Sequence, residues 1–273
     1  MRLKAATLFL RRVRAFVARD FQLAVSYRLD FFMRVLTILF VVTTFYFISR
    51  IFQGGATDFS QWRDPLAAWV TGLAVLNYFM TGFSSLANAI RNEQMQGTLE
   101  SVLLSPISVP TVVVASSAWD LLLATFHSSL YFIFGWLLFG VDFRGNFLLA
   151  LVFLFLTTLV LACLGILSAS FAMVFKRGDP FAILLGTGSA LFSGVFFPTE
   201  LLGQGFGTVS RLLPPTYGLD GIRRVLIEGQ GLAQVSGPLV TLFVFLAALL
   251  PFSLWVFSRA VRRAKREGSL IQY

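Results

Sequence analysis

The chain has 273 residues, of which 57% are hydrophobic and only 13% are charged, and its mean hydropathy is +0.80. Soluble domains are usually about 45–50% apolar, so this composition excludes a soluble globular protein and predicts a membrane protein with several spans. The net charge of +9 is concentrated near the two ends, beside apolar segments, which indicates membrane topology and contact with lipid headgroups rather than nucleic-acid binding.

The first element, over residues 1–28, is predicted to be an amphipathic helix that lies in the membrane interface. Basic and polar residues fall on one side of a helix over residues 3–26, and apolar residues fall on the other. Asp20 interrupts the apolar side, so the pattern predicts either a bend at that residue or a partner for its carboxylate.

Residues 29–273 are predicted to form one all-α domain with six transmembrane helices. The apolar stretches that predict these spans lie at about 30–52, 66–90, 110–139, 147–174, 181–197 and 236–258. Small residues in the second and fourth spans, such as Gly82, Gly165 and Ala169, predict close helix packing. The fifth span is short and rich in small residues.

Between the second and third spans, residues at about 92–105 predict a short amphipathic helix that ends before two prolines. Leu99 and Leu103 lie on an apolar ridge, while Glu93 and Glu100 face water. Contact with lipid does not explain why a short helix between two spans has such a regular apolar ridge and polar face. The pattern therefore predicts a surface that a partner binds on the aqueous side of the membrane.

The third span contains two ionisable residues, Asp120 and His127, which share a helix face about two turns apart. Ionisable groups inside a membrane are costly, which favours a functional role such as proton coupling in an ion-coupled secondary transporter. Alternatively, Asp120 pairs with a neighbouring helix near the inner interface, and His127 is a hydrogen-bonding packing residue. The sequence leaves both interpretations open, although no internal repeat relates the two halves of the chain.

Residues 199–228 are too polar to cross a bilayer, yet helical spacing of apolar residues continues on both sides of Pro214 and Pro215. This pattern predicts two short amphipathic helices that lie at the outer surface or dip into the membrane and return. Lys and Arg residues are concentrated in the segments that then lie inside, so both termini and residues 92–105 are predicted to be cytoplasmic.

Motifs for catalysis or cofactor binding are not found in the sequence. No lysine follows a glycine or precedes Ser or Thr, so no phosphate-binding loop is present. Cys163 is the single cysteine, which excludes a disulfide within the chain and a thiol cluster for a metal. The chain is therefore predicted not to be an enzyme and to bind no cofactor itself.

Two groups of residues resemble one known family. Glu93, Gly97-Thr98-Leu99-Glu100 and Leu104-Ser105-Pro106 resemble the cytoplasmic coupling-helix motif of type-2 ABC exporter permeases. Ser193-Gly194 with Phe196-Phe197-Pro198, and the stretch from Leu213 to Arg223, are similar to the end of the fifth span and the outer re-entrant hairpin of that family. Pro215 departs from the family pattern, which usually has an aliphatic residue there.

The resemblance implies a permease subunit in the cell membrane that exports an amphipathic or hydrophobic substrate, such as a drug, a lipid or a lipid-linked glycan. Its implied partners are two copies of an ABC ATPase subunit, which carry ATP and Mg²⁺, a second permease copy or close paralogue, and membrane lipids. The residues implied to couple to the ATPase are Glu93, Gly97, Thr98, Leu99, Glu100, Leu103, Ser105 and Pro106. The residues implied to form an outer gate are Pro198, Glu200, Pro214, Tyr217, Asp220 and Arg223.

Overall fold

The computed structural model describes residues 28–52, 64–95, 109–175, 180–199 and 203–266, together with Ala18, Phe21 and Gln22. These residues form eight helices, and there is no strand among them. In chain order the helices are α1 (Arg28–Phe52), α2 (Pro65–Met95), α3 (Val109–Phe139), α4 (Phe147–Phe175), α5 (Pro180–Phe192), α6 (Gly203–Leu212), α7 (Pro214–Leu226) and α8 (Ser236–Arg266). Most of the helix predicted over residues 1–28 lies outside the described residues.

Five of the described helices, α1, α2, α3, α4 and α8, are long and apolar enough to cross a membrane. Helix α5, at the predicted fifth span, has 13 residues and is therefore only about 20 Å long, shorter than a hydrocarbon core of about 30 Å. It ends at Phe192 rather than near residue 197, because Gly194 adopts a φ of 82° that a helix does not continue through. The six-span layout therefore stays a prediction.

Helix α2 is the centre of the bundle. About 72% of its apolar segment is buried, against 11% for the corresponding segments of α1 and α8. Small residues allow α4 to approach it closely: a Cβ added to Gly165 would collide with the backbone of Phe83, and one added to Gly82 would lie 3.0 Å from Thr158. These are close contacts of the kind that small residues permit between membrane helices.

Polar side chains join α2 to α3 within the apolar bundle. The hydroxyl of Ser128 donates to the carbonyl of Ala74 at 2.7 Å, and the amide of Asn77 donates to Ser128 Oγ at 3.3 Å. One turn away, the hydroxyls of Tyr78 and Thr125 are 2.6 Å apart. Ser128, Asn77, Tyr78 and Thr125 thus satisfy one another or a backbone carbonyl inside the bundle.

The predicted hairpin stretch contains two short helices, α6 and α7, with Leu213 between them. Helix α7 packs into α4 through two glycines: a Cβ on Gly218 would collide with Thr157, and a Cβ on Gly221 would collide with the ring of Phe153. The apolar residues of α7, including Leu219 and Ile222, are fully buried in the same cluster as Phe153. Helix α7 is therefore part of the core and not a surface appendage.

Three connections of the chain meet at one end of the bundle. Asp64 precedes α2, the segment 140–146 joins α3 to α4, and the segment 193–235 contains α6 and α7. The amide of Arg144 donates to the carbonyl of Leu226 at 3.1 Å, which joins the second of these connections to the end of α7. The structure thus places α6 and α7 at the same end as the α1–α2 and α3–α4 connections.

At the opposite end, α2 continues without a break to Met95. The sequence predicts that a separate helix begins near Asn92, but residues 92–95 are the last turn of α2. The rest of the predicted coupling helix, from residue 96 to residue 105, lies outside the described residues.

We expect Gly221→Ala to lower the free energy of unfolding by about 1–3 kcal/mol, because the added methyl group forces Phe153 out of a packed core. Thermal unfolding of the detergent-purified protein, followed by circular dichroism, measures the effect. Gly205→Ala is the matched control, because nothing lies within 4 Å of the Cβ it adds to α6. Equal melting temperatures for the two variants would show that α7 does not pack on α4 in this way.

Candidate functional site

Arg223 of α7 joins three separate parts of the chain. Its Nη1 donates to the carbonyl of Gly194 at 2.6 Å, and its Nη2 donates to the carbonyls of Ala68 at 2.9 Å and Val195 at 3.2 Å. The guanidinium is half-buried between the first turn of α2 and the turn that follows α5. A planar group with several fixed donors suits this role, because it can bond several carbonyls at the same time.

Two glycines make this close arrangement possible. A Cβ on Gly72 would lie 2.9 Å from the carbonyl oxygen of Val195 and 3.0 Å from Arg223 Nη2, so only glycine lets the turn approach α2. Gly194 has a φ of 82°, which favours glycine over residues with a side chain. The turn and the arginine therefore depend on glycines that lie in different elements of the fold.

An aromatic group supports the same turn from the other side. The indole Nε1 of Trp69 donates to the carbonyl of Phe196 at 2.8 Å. The ring of Phe45, on α1, lies 5.5 Å from the Trp69 ring and 6.4 Å from the Phe196 ring. Helix α1, helix α2 and the turn after α5 are thus held together at this end of the bundle.

The junction of α6 and α7 is fixed by side-chain hydrogen bonds to the last turn of α6. The hydroxyl of Thr216 donates to the carbonyl of Ser210 at 2.7 Å, and that of Tyr217 donates to the carbonyl of Arg211 at 2.8 Å. Helix α7 begins with Pro214 and Pro215, both buried. Proline is tolerated there because the first amides of a helix have no intrahelical partner, so Pro215 does not disturb the helix.

A cavity of about 650 Å³ lies between these elements. Four of the predicted gate residues line it: Pro198, Tyr217, Asp220 and Arg223. Pro214 is buried at the start of α7, and Glu200 lies outside the described residues. Four of the five predicted gate residues that the structure describes therefore surround one cavity. Arg223 also joins the turn after α5 to the first turn of α2.

Two residues outside the predicted gate set complete this region, of which Ser193 belongs to the stretch that resembles the known family. Trp69 is recognisable in the sequence only as an aromatic residue near the start of a span, and nothing in the pattern predicts its bond to Phe196, 127 residues away. Ser193 lines the cavity and is 2% exposed, and its hydroxyl has no hydrogen-bond partner in the part of the chain that the structure describes.

The residues predicted to couple to an ATPase lie almost entirely outside the described residues. Glu93 is in the last turn of α2, where the structure describes the backbone. Gly97, Thr98, Leu99, Glu100, Leu103, Ser105 and Pro106 are not among the described residues. Their role stays a prediction from the sequence.

Asp120 and His127 both lie on α3, and the structure does not bring them together. Asp120 is half-buried, and His127 is 6% exposed. His127 Nε2 has no hydrogen-bond partner among the described residues, so the predicted bond is not found at this nitrogen. The described residues contain no group of three or more His, Cys, Asp or Glu side chains placed to hold a metal ion.

The fold and this site define a multi-pass helical membrane protein. At one end of its bundle lie two short helices, α6 and α7, and Arg223 of α7 bonds the turn after α5 and the start of α2. The ABC-2 type transporter family model matches residues 11–227, which is most of the chain. The chain therefore belongs to the ABC-2 type transporter family and is a membrane permease of that type. Permeases of this family generally work with a separate ATPase. A comparison with curated proteins finds no match for the chain.

We expect Arg223→Gln to destabilise the protein by roughly 2–4 kcal/mol, because carbonyls of α2 and of the turn lose a charged donor. The neighbouring Arg224 gives a matched control: its ion pair with Asp220 is about 40% exposed, so Arg224→Gln should cost at most about 1 kcal/mol. The measurement is thermal unfolding of both variants in the same detergent. If both variants melt at the same temperature, Arg223 does not brace the turn.

Proposed function

We propose that this chain is the transmembrane permease subunit of an ATP-driven exporter that moves an amphipathic or hydrophobic substrate out of the cytoplasm or inner leaflet. Membership of the ABC-2 type transporter family over residues 11–227 carries this proposal. The absence of a phosphate-binding loop in the sequence agrees with it, since the ATP and Mg²⁺ would then be bound by a separate subunit.

The coupling helix would be the site at which the ATPase acts. In this proposal two ATPase subunits dock on residues 93–106 of two permease copies, either identical or closely related. Leu99 and Leu103 would enter an apolar groove of the ATPase, and Glu93 and Glu100 would complement basic residues at its rim. Replacement of either leucine by alanine should then cost about 1–3 kcal/mol of docking energy.

Helix α2 supplies a physical route from that site to the other end of the bundle. It has 31 residues, so it is about 46 Å long, and the predicted coupling stretch begins in its last turn. It packs against α3 and α4, and Arg223 of α7 bonds the carbonyl of Ala68 near its first turn. A displacement of its coupling end would therefore act on the α6–α7 pair, which we propose as the outer gate.

The substrate class is proposed from the chemistry of the spans. Few charged residues lie within them, and large apolar side chains such as Phe40, Phe47 and Trp136 are exposed on the isolated chain. Surfaces of this kind suit contact with lipid, with a second permease copy or with an amphipathic substrate. We propose export through the cell membrane, with both termini cytoplasmic, as the distribution of basic residues favours.

Affinity purification from gently solubilised membranes of the producing organism tests the coupling site. We expect the wild-type chain to retain a subunit with nucleotide-binding sequence motifs and measurable ATP hydrolysis, and Leu99→Arg to lose both, because a charge would enter the apolar groove. Leu99→Met is the matched control, since it keeps the side chain apolar at similar volume. Equal ATPase recovery with Leu99→Arg would show that Leu99 is not the docking anchor.

Asp120→Asn distinguishes an ATP-driven exporter from an ion-coupled transporter. The change removes the titratable group but keeps its size, so ATP-dependent transport in reconstituted vesicles should persist within about twofold if Asp120 has a structural role. His127→Gln, made in parallel, tests the second ionisable residue of α3. Transport that requires a proton gradient and is abolished by either change would instead favour the ion-coupled transporter.

A further inference from the structure

The cavity beside Arg223 has the size and the lining of a binding site. Its volume of about 650 Å³ lies within the range of about 300–1,000 Å³ that is usual for small-molecule sites. Its walls come from the first turn of α2, the turn after α5, and both α6 and α7. Polar groups from several elements therefore converge on one partly open cavity.

One wall of the cavity carries a buried hydroxyl that lacks a partner. Ser193 is 2% exposed and lines the cavity, yet its Oγ makes no hydrogen bond within the described ranges. Buried hydroxyls in folded proteins are normally hydrogen-bonded, and leaving one unpaired is destabilising. The Oγ atom itself has almost no accessible surface, so a ligand in the cavity would bond it only after a small movement of the cavity wall.

Two of the three arginines that line the cavity have donors available for a ligand. Arg224 is held by its Nε, which lies 2.9 Å from Asp220 Oδ1, and its terminal nitrogens make no hydrogen bond to the described residues. The side chain of Arg211 likewise has no hydrogen bond or ion pair in the described part of the chain. Arg223 differs, because its terminal nitrogens already donate to backbone carbonyls. Two free guanidinium ends suit a phosphate group.

The carboxylates of the lining narrow the choice of ligand. Three of them, Asp64, Asp220 and Glu228, face the same cavity as the three arginines, so the lining residues that the structure describes carry a formal charge of zero. A neutral lining with both signs of charge does not favour a simple anion. It favours a ligand that itself carries both signs, with its phosphate near the arginines and a cation near a carboxylate such as Glu228.

We propose that this cavity binds a zwitterionic headgroup that joins a phosphate to an amine, carried by a phospholipid or an amphiphile of the same design. The cavity opens at the end of the bundle where three chain connections meet, which places it at the level of headgroups when the apolar helices span a membrane. The inference stands on the cavity alone and does not depend on an ATPase or on the direction of transport.

Isothermal titration calorimetry on the purified full chain in a neutral, phosphate-free detergent tests this proposal. The probes are dihexanoyl phosphatidylethanolamine, dihexanoyl phosphatidylglycerol and glycerophosphoethanolamine. The second keeps the phosphate but lacks the amine, and the third keeps both charges but lacks the acyl chains. We expect the phosphatidylethanolamine to bind at least about tenfold more tightly than either of the others, because only it offers both charges and acyl chains.

Matched variants locate the binding site. Arg211→Gln combined with Arg224→Gln should weaken phosphatidylethanolamine binding by at least about tenfold, since charged donors to the phosphate are lost. Glu228→Gln should reduce the preference for phosphatidylethanolamine over phosphatidylglycerol, and Ser193→Ala should weaken binding about threefold or more. Arg144→Gln is the control, because Arg144 is an exposed arginine at the same end of the bundle that does not line the cavity.

Two results would overturn the proposal. Equal weakening by Arg144→Gln and by the Arg211–Arg224 double variant would mean that surface charge, and not the cavity, attracts the lipid. Phosphatidylglycerol or glycerophosphoethanolamine binding as tightly as phosphatidylethanolamine would show that the amine or the acyl chains are not recognised. ATPase recovery with the double variant is measured separately, so a failure of headgroup binding is distinguishable from a failure of the coupling site.

Discussion

The bonds from Arg223 to the carbonyls of Ala68, Gly194 and Val195 are the constraint on which this end of the molecule depends. Helix α5 stops at Phe192, and the chain then turns without helical hydrogen bonding beside the apolar bundle. The carbonyls of such a turn lack helical partners, so they need donors from elsewhere in the protein where they are buried. The guanidinium supplies those donors, and the tight approach of the turn to Gly72 follows from them.

Helix α7 can supply that arginine because its other face is fixed in the core. Gly218 and Gly221 bring it close to α4, and Leu219 and Ile222 are fully buried. A helix held on one side by apolar packing has a fixed rotation, so Arg223 is directed at the turn after α5. Its neighbour Arg224, about 100° further round the helix, pairs with Asp220 and keeps free donors towards the cavity. Adjacent residues of the same type thus have different roles.

The sequence predicts the parts of this fold that depend on local pattern. Hydropathy predicts the bounds of α1, α3 and α4 within about two residues, because the length of an apolar run is a local property. It predicts the end of the fifth span less well, since the apolar run from Val195 to Phe197 looks like a continued helix and the positive φ of Gly194 is not visible in hydropathy. The bond of Trp69 to Phe196 and that of Arg223 to Ala68 join residues more than 100 positions apart, so no local pattern indicates them.

The bonds of Arg223 also determine what the proposed gate at this end would require. If the predicted outer gate opened by moving α7 away from α2, at least the bond to Ala68 would have to break, and the exposed carbonyl would need a new donor. If α7 instead moved together with the first turn of α2, the brace would stay intact. Since α2 is the most buried span and α7 is packed on α4, the joint movement conserves more of the observed contacts. If this end opens as proposed, the observed contacts therefore favour a movement in which α2, α4, the turn after α5 and α7 stay together as one unit.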